Sequence, residues 1–212
     1  VFESTLLDGV AQVVISPGLS LHDPVATEAL SRGLPVVGDI ELFAREAQAP
    51  VAAITGTNGK STVTALLAEI ANAAHCPAIA GGNLGEPALD LLERPVPRLY
   101  VLELSSFQLE TTHSLETATA TVLNVTPDHM DRYGSIAVYA DAKARIFDGC
   151  AVAVINADDP LVRGMPRAGQ RVISFGLADA DADYALAELP EPALTCRGEA
   201  LLPVSAMRLQ GT

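Results

Sequence analysis

Short apolar runs recur along the chain at Val13-Val14-Ile15, Val51 to Thr55, Leu99 to Leu104, Thr119 to Val125, Ala151 to Ile155 and Val172 to Phe175, with helix-like or turn-rich segments between them. Continuous runs, in place of strict alternation, predict strands covered on both faces, as in a mainly parallel sheet. The recurring strand–helix order makes the fold α/β, with helices flanking the sheet and ligand sites at the carboxyl ends of strands. Residues 1–38 hold one strand ending in Ser16-Pro17-Gly18, a helix over Asp23 to Arg32 and a second strand, Leu34 to Val37. That is too little for a domain, so we read it as a remnant ahead of a main body at residues 39–212. From Leu177 to Pro192 the pattern predicts weakly specified strands and loops without chemistry. Both ends read as cuts in a longer pattern.

With 49% hydrophobic but only 4% aromatic residues, the core is built from Ala, Val and Leu. The apolar runs fall far short of the roughly 18 residues of a membrane span, and no leader pattern opens the sequence. We therefore expect no membrane insertion and a cytoplasmic location. The net charge of -13, from 13 basic and 26 acidic residues, argues against nucleic acid, whose phosphates are held by clustered Lys and Arg. Cys76, Cys150 and Cys196 are widely spaced, without a C-x-x-C, and read as core thiols in a reducing cell.

Chemistry concentrates first in Gly56-Thr57-Asn58-Gly59-Lys60-Ser61-Thr62, between an apolar strand and a helix-like stretch. It reads as a P-loop: glycines let backbone N–H groups turn on a polyphosphate, Lys60 supplies a charge, Ser61 a hydroxyl for Mg²⁺, and the helix aims its positive end at the anion. The spacing departs from G-x-x-x-x-G-K-[ST], because Ile54 stands where the first glycine belongs; an ordinary βα turn is the other reading. Val63, Leu66, Leu67, Ile70, Ala71 and Ala74 make an amphipathic face expected to hold the loop against the sheet.

Further along, Glu103 ends an apolar strand, where a carboxylate needs a cationic partner; a capping or surface role is the alternative. Ser105, Ser106 and Gln108 follow directly. After Thr121 to Val125 comes Asp128-His129-Met130-Asp131, a carboxylate and imidazole vocabulary suited to divalent metal. His22, His75 and His113 lack such a position. In the helix predicted over Ser135 to Asp148, Lys143 sits on the stripe of Ile136, Ala140 and Phe147. A buried amine has a lowered pKa and can take up CO₂ as a carbamate, a ligand for metal; a snorkelling lysine is equally compatible with the spacing. Gly81-Gly82-Asn83-Leu84-Gly85 is a glycine-rich turn before a helix predicted over Glu86 to Leu92, where Asn83 could meet a substrate or simply complete a turn.

Taken in order, Thr55 to Thr62, Gly81 to Gly85, Glu103-Leu104-Ser105-Ser106-Phe107-Gln108-Leu109-Glu110, Asn124-Val125-Thr126, Asp128 to Tyr133 and Lys143 resemble the Mur ligases, most closely the members that add D-glutamate. The resemblance covers nearly the whole chain. It implies a cytoplasmic, ATP- and Mg²⁺-dependent amide ligase of peptidoglycan synthesis, acting on UDP-N-acetylmuramoyl-L-alanine through an acyl phosphate. It further implies that residues 1–38 are the end of a Rossmann-like UDP-substrate domain, that 39–212 form the central ATP-binding domain, and that a third domain is missing. The enzyme would be a monomer, and the chain alone inactive. Residue by residue, Gly56, Thr57, Asn58, Gly59, Lys60, Ser61 and Thr62 would hold ATP. Ser61 and Glu103 would hold one Mg²⁺, and His129 with a carbamylated Lys143 the second. Lys60, His129 and Lys143 would serve catalysis, while Asn83, Ser105, Gln108 and Ser16-Pro17-Gly18 would meet the UDP substrate. Another Mur ligase, a folylpolyglutamate synthase, or a non-catalytic Mg-nucleotide module are the alternatives.

Overall fold

A computed structural model describes residues 2–179, 181–188 and 191–207. The chain opens with β1 (Val13–Val14), α1 (Pro24–Ser31) and β2 (Val36–Val37), a parallel pair around a crossover helix. Pro24 suits the first helical turn, where its missing N–H would have no partner. Then follow α2 (Asp39–Glu46), β3 (Val51–Thr55), α3 (Lys60–Ala73), β4 (Ala78–Gly82), β5 (Leu99–Glu103), α4 (Ser106–Glu110), β6 (Thr119–Val122), α5 (Met130–Tyr133), α6 (Ile136–Ala144), β7 (Val152–Asn156), α7 (Pro160–Arg163), β8 (Arg171–Gly176), β9 (Tyr184–Glu188), β10 (Pro192–Cys196) and β11 (Glu199–Pro203). The main sheet runs β11-β10-β9-β8-β7-β6-β3-β5-β4. From β4 to β9 all pairings are parallel, while β9, β10 and β11 are antiparallel. The mainly parallel α/β sheet expected from the apolar runs is therefore the observed one.

Alternate residues of the central strands feed two cores. Val51 and Ala53 of β3 and Tyr100 and Leu102 of β5 join α2, α4, α6 and the 3₁₀ turn after it (Arg145–Phe147) through Ile40, Phe43, Leu109, Tyr139 and Phe147. Phe43 meets Tyr100 edge to face, with centroids 5.1 Å apart. Ile54 and Val101 point the other way, to Ala68 and Val63 of α3.

Several expectations are corrected here. Gly81 and Gly82 belong to a strand rather than a turn, because β4 approaches β5 so closely that a Cβ on Gly82 would lie 2.3 Å from the Glu103 carbonyl oxygen. No α-helix spans Glu86 to Leu92; only Asp90–Glu93 turns as a 3₁₀ helix, since Pro87 disfavours helical backbone at Glu86 and the Glu86 carbonyl accepts from Gly82 instead. The α3 stripe is only half covered: Leu66 and Ile70 are 41% and 56% exposed. They border an apolar groove with Leu123, Val154 and Phe175. Here β6 and β7 alternate in burial, so the sheet is not covered on both faces along its full width among the described residues. Arg208 to Thr212, at the end that reads from the sequence as a cut, lie outside the described residues.

The loop after α4 is tied to α2 by Glu41, which is 3% exposed. His113 and Ser114 donate backbone N–H groups to its Oε2 at 2.7 and 2.8 Å, and Ser114 Oγ and Arg45 Nε donate to Oε1 at 2.8 and 3.0 Å. Burial alone would push this carboxyl up, but the four donors outweigh it and lower its pKa to about 2. A depressed carboxylate stabilises the fold above its unfolded pKa of 4.5 and loses that contribution as pH falls towards 2. Glu41→Gln should cost about 1–3 kcal/mol at neutral pH and flatten the fall in melting temperature between pH 4.5 and 2, both read by thermal unfolding.

Candidate functional site

The fully buried β3 delivers the chain into the phosphate loop from a fixed point. Gly56 has φ +152°, and a Cβ there would come within 3.1 Å of Leu123 Cβ. Gly59, at φ +81°, turns the chain into α3, a conformation glycine adopts without steric cost. The N–H groups of Gly59, Lys60, Ser61 and Thr62 open the helix and have no acceptor within it, so they face outward with the positive helix end. Thr57 and Asn58 differ. Their N–H groups donate to Asn124 Oδ1 at 3.1 and 2.9 Å, while Asn124 Nδ2 donates back to the Asn58 carbonyl at 3.0 Å. Thr57 Oγ1 donates to the Thr126 carbonyl at 3.2 Å and accepts from Thr126 N–H at 3.1 Å. This half of the loop is thus pinned to the turn after β6, and the helix-opening half is left for an anion. Lys60 Nζ closes the loop on the Thr57 carbonyl at 3.0 Å.

Lys143 is 1% exposed. Its Nζ donates to the Gly56 carbonyl at 2.8 Å and lies 4.5 Å from the centre of the Tyr139 ring. The helical stripe thus carries a lysine to the start of the phosphate loop rather than to water. Burial, with repulsion from Lys60, lowers its pKa to about 7 against the smaller opposing pull of Asp128. A substantial neutral fraction exists at physiological pH, the form that reacts as a nucleophile.

Glu103 is 2% exposed at the end of β5. Asn83 holds it, with Nδ2 donating to Oε1 at 2.9 Å and the backbone N–H donating to the Glu103 carbonyl at 2.8 Å. Its Oε2 is buried without a partner. An orphaned carboxylate oxygen is costly in isolation and suits a divalent cation. Among the described residues no three His, Cys, Asp or Glu side chains converge, so a cation here would draw remaining ligands from water and phosphate, as Mg²⁺ commonly does. His129 stands on the turn after β6 with φ +53°. It is half exposed, 3.5 Å from Asp128, and packs against Phe107 with ring centroids 4.9 Å apart.

The expected substrate residues fall into two groups. Asn83, Ser16 and Gly18 are exposed. Ser105 and Gln108 instead form a capping box at the start of α4, and the buried Gln108 spends its Nε2 on Asp39 at 2.9 Å. Gln108 is turned into the fold. No periodicity singles out Asn124, which holds the Thr57 and Asn58 amides, or Arg132, which bonds Glu110 and the Pro17 and Leu19 carbonyls. Asn124 lies two residues past the end of β6, in a stretch that already carried the family resemblance, which is the one signal the sequence held for it.

The amine of Lys143 titrates near 7 in the fold and at 10.5 unfolded, so the unfolded chain binds more protons between those values and stability rises with pH across that window. Lys143→Met should therefore gain most relative to the unsubstituted chain at pH 6, with the difference shrinking towards pH 10 in paired thermal melts.

Residues 54–195 match the family described as the Mur ligase middle domain. A protein of Nitrosococcus oceani named UDP-N-acetylmuramoylalanine--D-glutamate ligase is 51% identical over 209 residues, 98% of this chain and 46% of that relative. A namesake from Alcanivorax borkumensis is 51% identical over 210 residues, 99% and 47%. The chain thus spans about half the length of these curated relatives. Among solved structures, a UDP-N-acetylmuramoyl-L-alanyl-D-glutamate--2,6-diaminopimelate ligase superposes with TM-score 0.64 at 22% identity, over 91% of this chain and 53% of that one. The MurF ligase of Thermotoga maritima in complex with ADP does so at 0.59 and 20%, over 89% and 52%. These likenesses share the sheet and its helices, and the family match spans the phosphate loop, Glu103, His129 and Lys143 together: the chain belongs to the Mur ligase family, through its middle domain.

Proposed function

We propose that the chain is the ATP-handling centre of a ligase that joins D-glutamate to UDP-N-acetylmuramoyl-L-alanine in cytoplasmic peptidoglycan precursor synthesis. The observation that carries the reading is a phosphate loop at the end of β3 with a carboxylate of one free oxygen at the end of its neighbour β5 and a buried lysine bonded to the loop itself. The curated relatives at 51% identity, named for that reaction, supply the amino acid and the acceptor. No helix among the described residues is long and apolar enough to cross a membrane; in this proposal the whole enzyme works as a cytoplasmic monomer.

In this reading the Lys60 ammonium and the N–H groups of Gly59 to Thr62 neutralise the phosphate oxygens of ATP and orient its terminal phosphoryl group. The terminal carboxylate of the UDP substrate takes that group, releasing ADP. The D-glutamate amine then displaces phosphate and forms the amide. Such chemistry is mostly positioning and charge neutralisation. Ser61 and Glu103 would hold one Mg²⁺, and His129 with a carbamylated Lys143 the other; when bound, these ions supply neutralisation of the charge on the transferring oxygens. The lowered pKa of Lys143 supports the carbamate, since only a neutral amine takes up CO₂. Asn83 keeps Glu103 in place and would also meet the acceptor. Ser105 would meet the acceptor as well, and Gln108 would act by holding Ser105. Ser16-Pro17-Gly18 would contact the uridine side, residues 2–38 being the end of the UDP-substrate domain.

The test is phosphate release by the full-length protein with Mg-ATP and UDP-N-acetylmuramoyl-L-alanine. Release should require D-glutamate and should not occur with L-glutamate, L-lysine or diaminopimelate, while Lys60→Ala should lower the rate by at least about 100-fold. Stimulation by another amino acid would move the protein to a different branch of the family, and nucleotide binding without release would make it a non-catalytic module.

A further inference from the structure

We infer that Arg132 is a positioning residue that locks the Ser16-Pro17-Gly18 loop to the turn carrying His129, so that the UDP-substrate side and the phosphate side of the site keep a fixed relation; the inference rests on the substrate reading above. Arg132 lies in α5, far from the N-terminal unit in sequence, yet its Nη1 donates to the Pro17 carbonyl at 3.3 Å and its Nη2 to the Leu19 carbonyl at 3.2 Å. The same Nη2 meets Glu110 Oε2 of α4 at 2.7 Å, in a pair only 16% and 17% exposed. The guanidinium also lies 4.1 Å from the centre of the Phe107 ring.

Phe107 makes this arrangement more than a tether. Its ring packs on His129 at 4.9 Å and stacks with Tyr133 at 5.8 Å. One side chain therefore touches the loop, the helix that follows Glu103, and the ring that fixes His129. A planar guanidinium offers five N–H donors in a fixed fork and a flat face that stacks on a ring, whereas a lysine ammonium has three donors and no plane to stack. On the loop side it binds carbonyl oxygens, so the lock needs backbone shape rather than any particular loop side chain. Gln12 with Arg45 and Gly38 with Thr111 also cross between the two units, but neither contact reaches the loop.

The test compares Arg132→Lys and Glu110→Gln with the unsubstituted full-length protein. For Arg132→Lys, KM for UDP-N-acetylmuramoyl-L-alanine should rise at least fivefold while KM for ATP stays within twofold; Glu110→Gln should shift the same constant in the same direction by less. Equal rises in both constants, or no rise in either, would overturn the lock. Hydrogen exchange reads the same claim without turnover: amides of Leu19 and Ser20 should exchange at least tenfold faster in Arg132→Lys, with those of Thr57 and Asn58 unchanged. If the unsubstituted protein shows no release dependent on the UDP substrate, the substrate reading fails; exchange then decides the lock alone, and unaltered exchange at Leu19 and Ser20 refutes it.

Discussion

The bond from Lys143 to the Gly56 carbonyl is the constraint around which the rest of the site is arranged. Burying an ammonium beside a second lysine is unfavourable, and the fold bears that cost at the mouth of its phosphate loop. Strained or unfavourable electrostatics concentrated at one place are characteristic of sites built for chemistry. The surroundings are built to hold Lys143 there. Tyr139 offers its ring to the amine, α6 carries Lys143 among its buried residues, and the Gly56 carbonyl follows directly on β3, a strand with no exposed residue.

A second consequence is a division of labour within the loop. Asn124 occupies the N–H groups of Thr57 and Asn58, which makes the first half of the loop structural. The helix-opening half keeps its donors. Pre-organisation of this kind removes the ordering cost that a flexible glycine loop would incur on binding a polyphosphate. Glu103 follows the same logic from the neighbouring strand: Asn83 fixes one carboxylate oxygen and leaves the other open.

Much of this was legible in the sequence, for physical reasons that can be named. The central strands announce themselves because β3 and β5 are buried along nearly their whole length, so apart from the terminal Thr55 and Glu103 their residues are apolar. Lys143 stood out because a helical stripe tolerates a cation only with a reason. Strand β4 did not stand out, since its two glycines mimic a turn and the close approach that requires them is a tertiary fact. Helix α2 was likewise silent: its buried Glu41 interrupts the apolar stripe and makes sense only once the amides of His113 and Ser114 are in place. The half-open face beside α3 contradicts the burial its periodicity implies, because periodicity reports which side is apolar and not what covers it. Arg132 and Asn124 act on backbone groups remote in sequence, and no local pattern encodes such partners.

The most direct measurement of the central claim is a backbone amide map of the ¹⁵N-labelled chain as Mg-bound, non-hydrolysable ATP analogue is added. The account predicts the largest shifts at Gly59, Lys60, Ser61 and Thr62, a clear change at the Lys143 side-chain amine, and little change at Thr57 and Asn58, whose donors Asn124 already holds. Shifts confined to the apolar groove beside Leu66 and Ile70, or none at the start of α3, would contradict it.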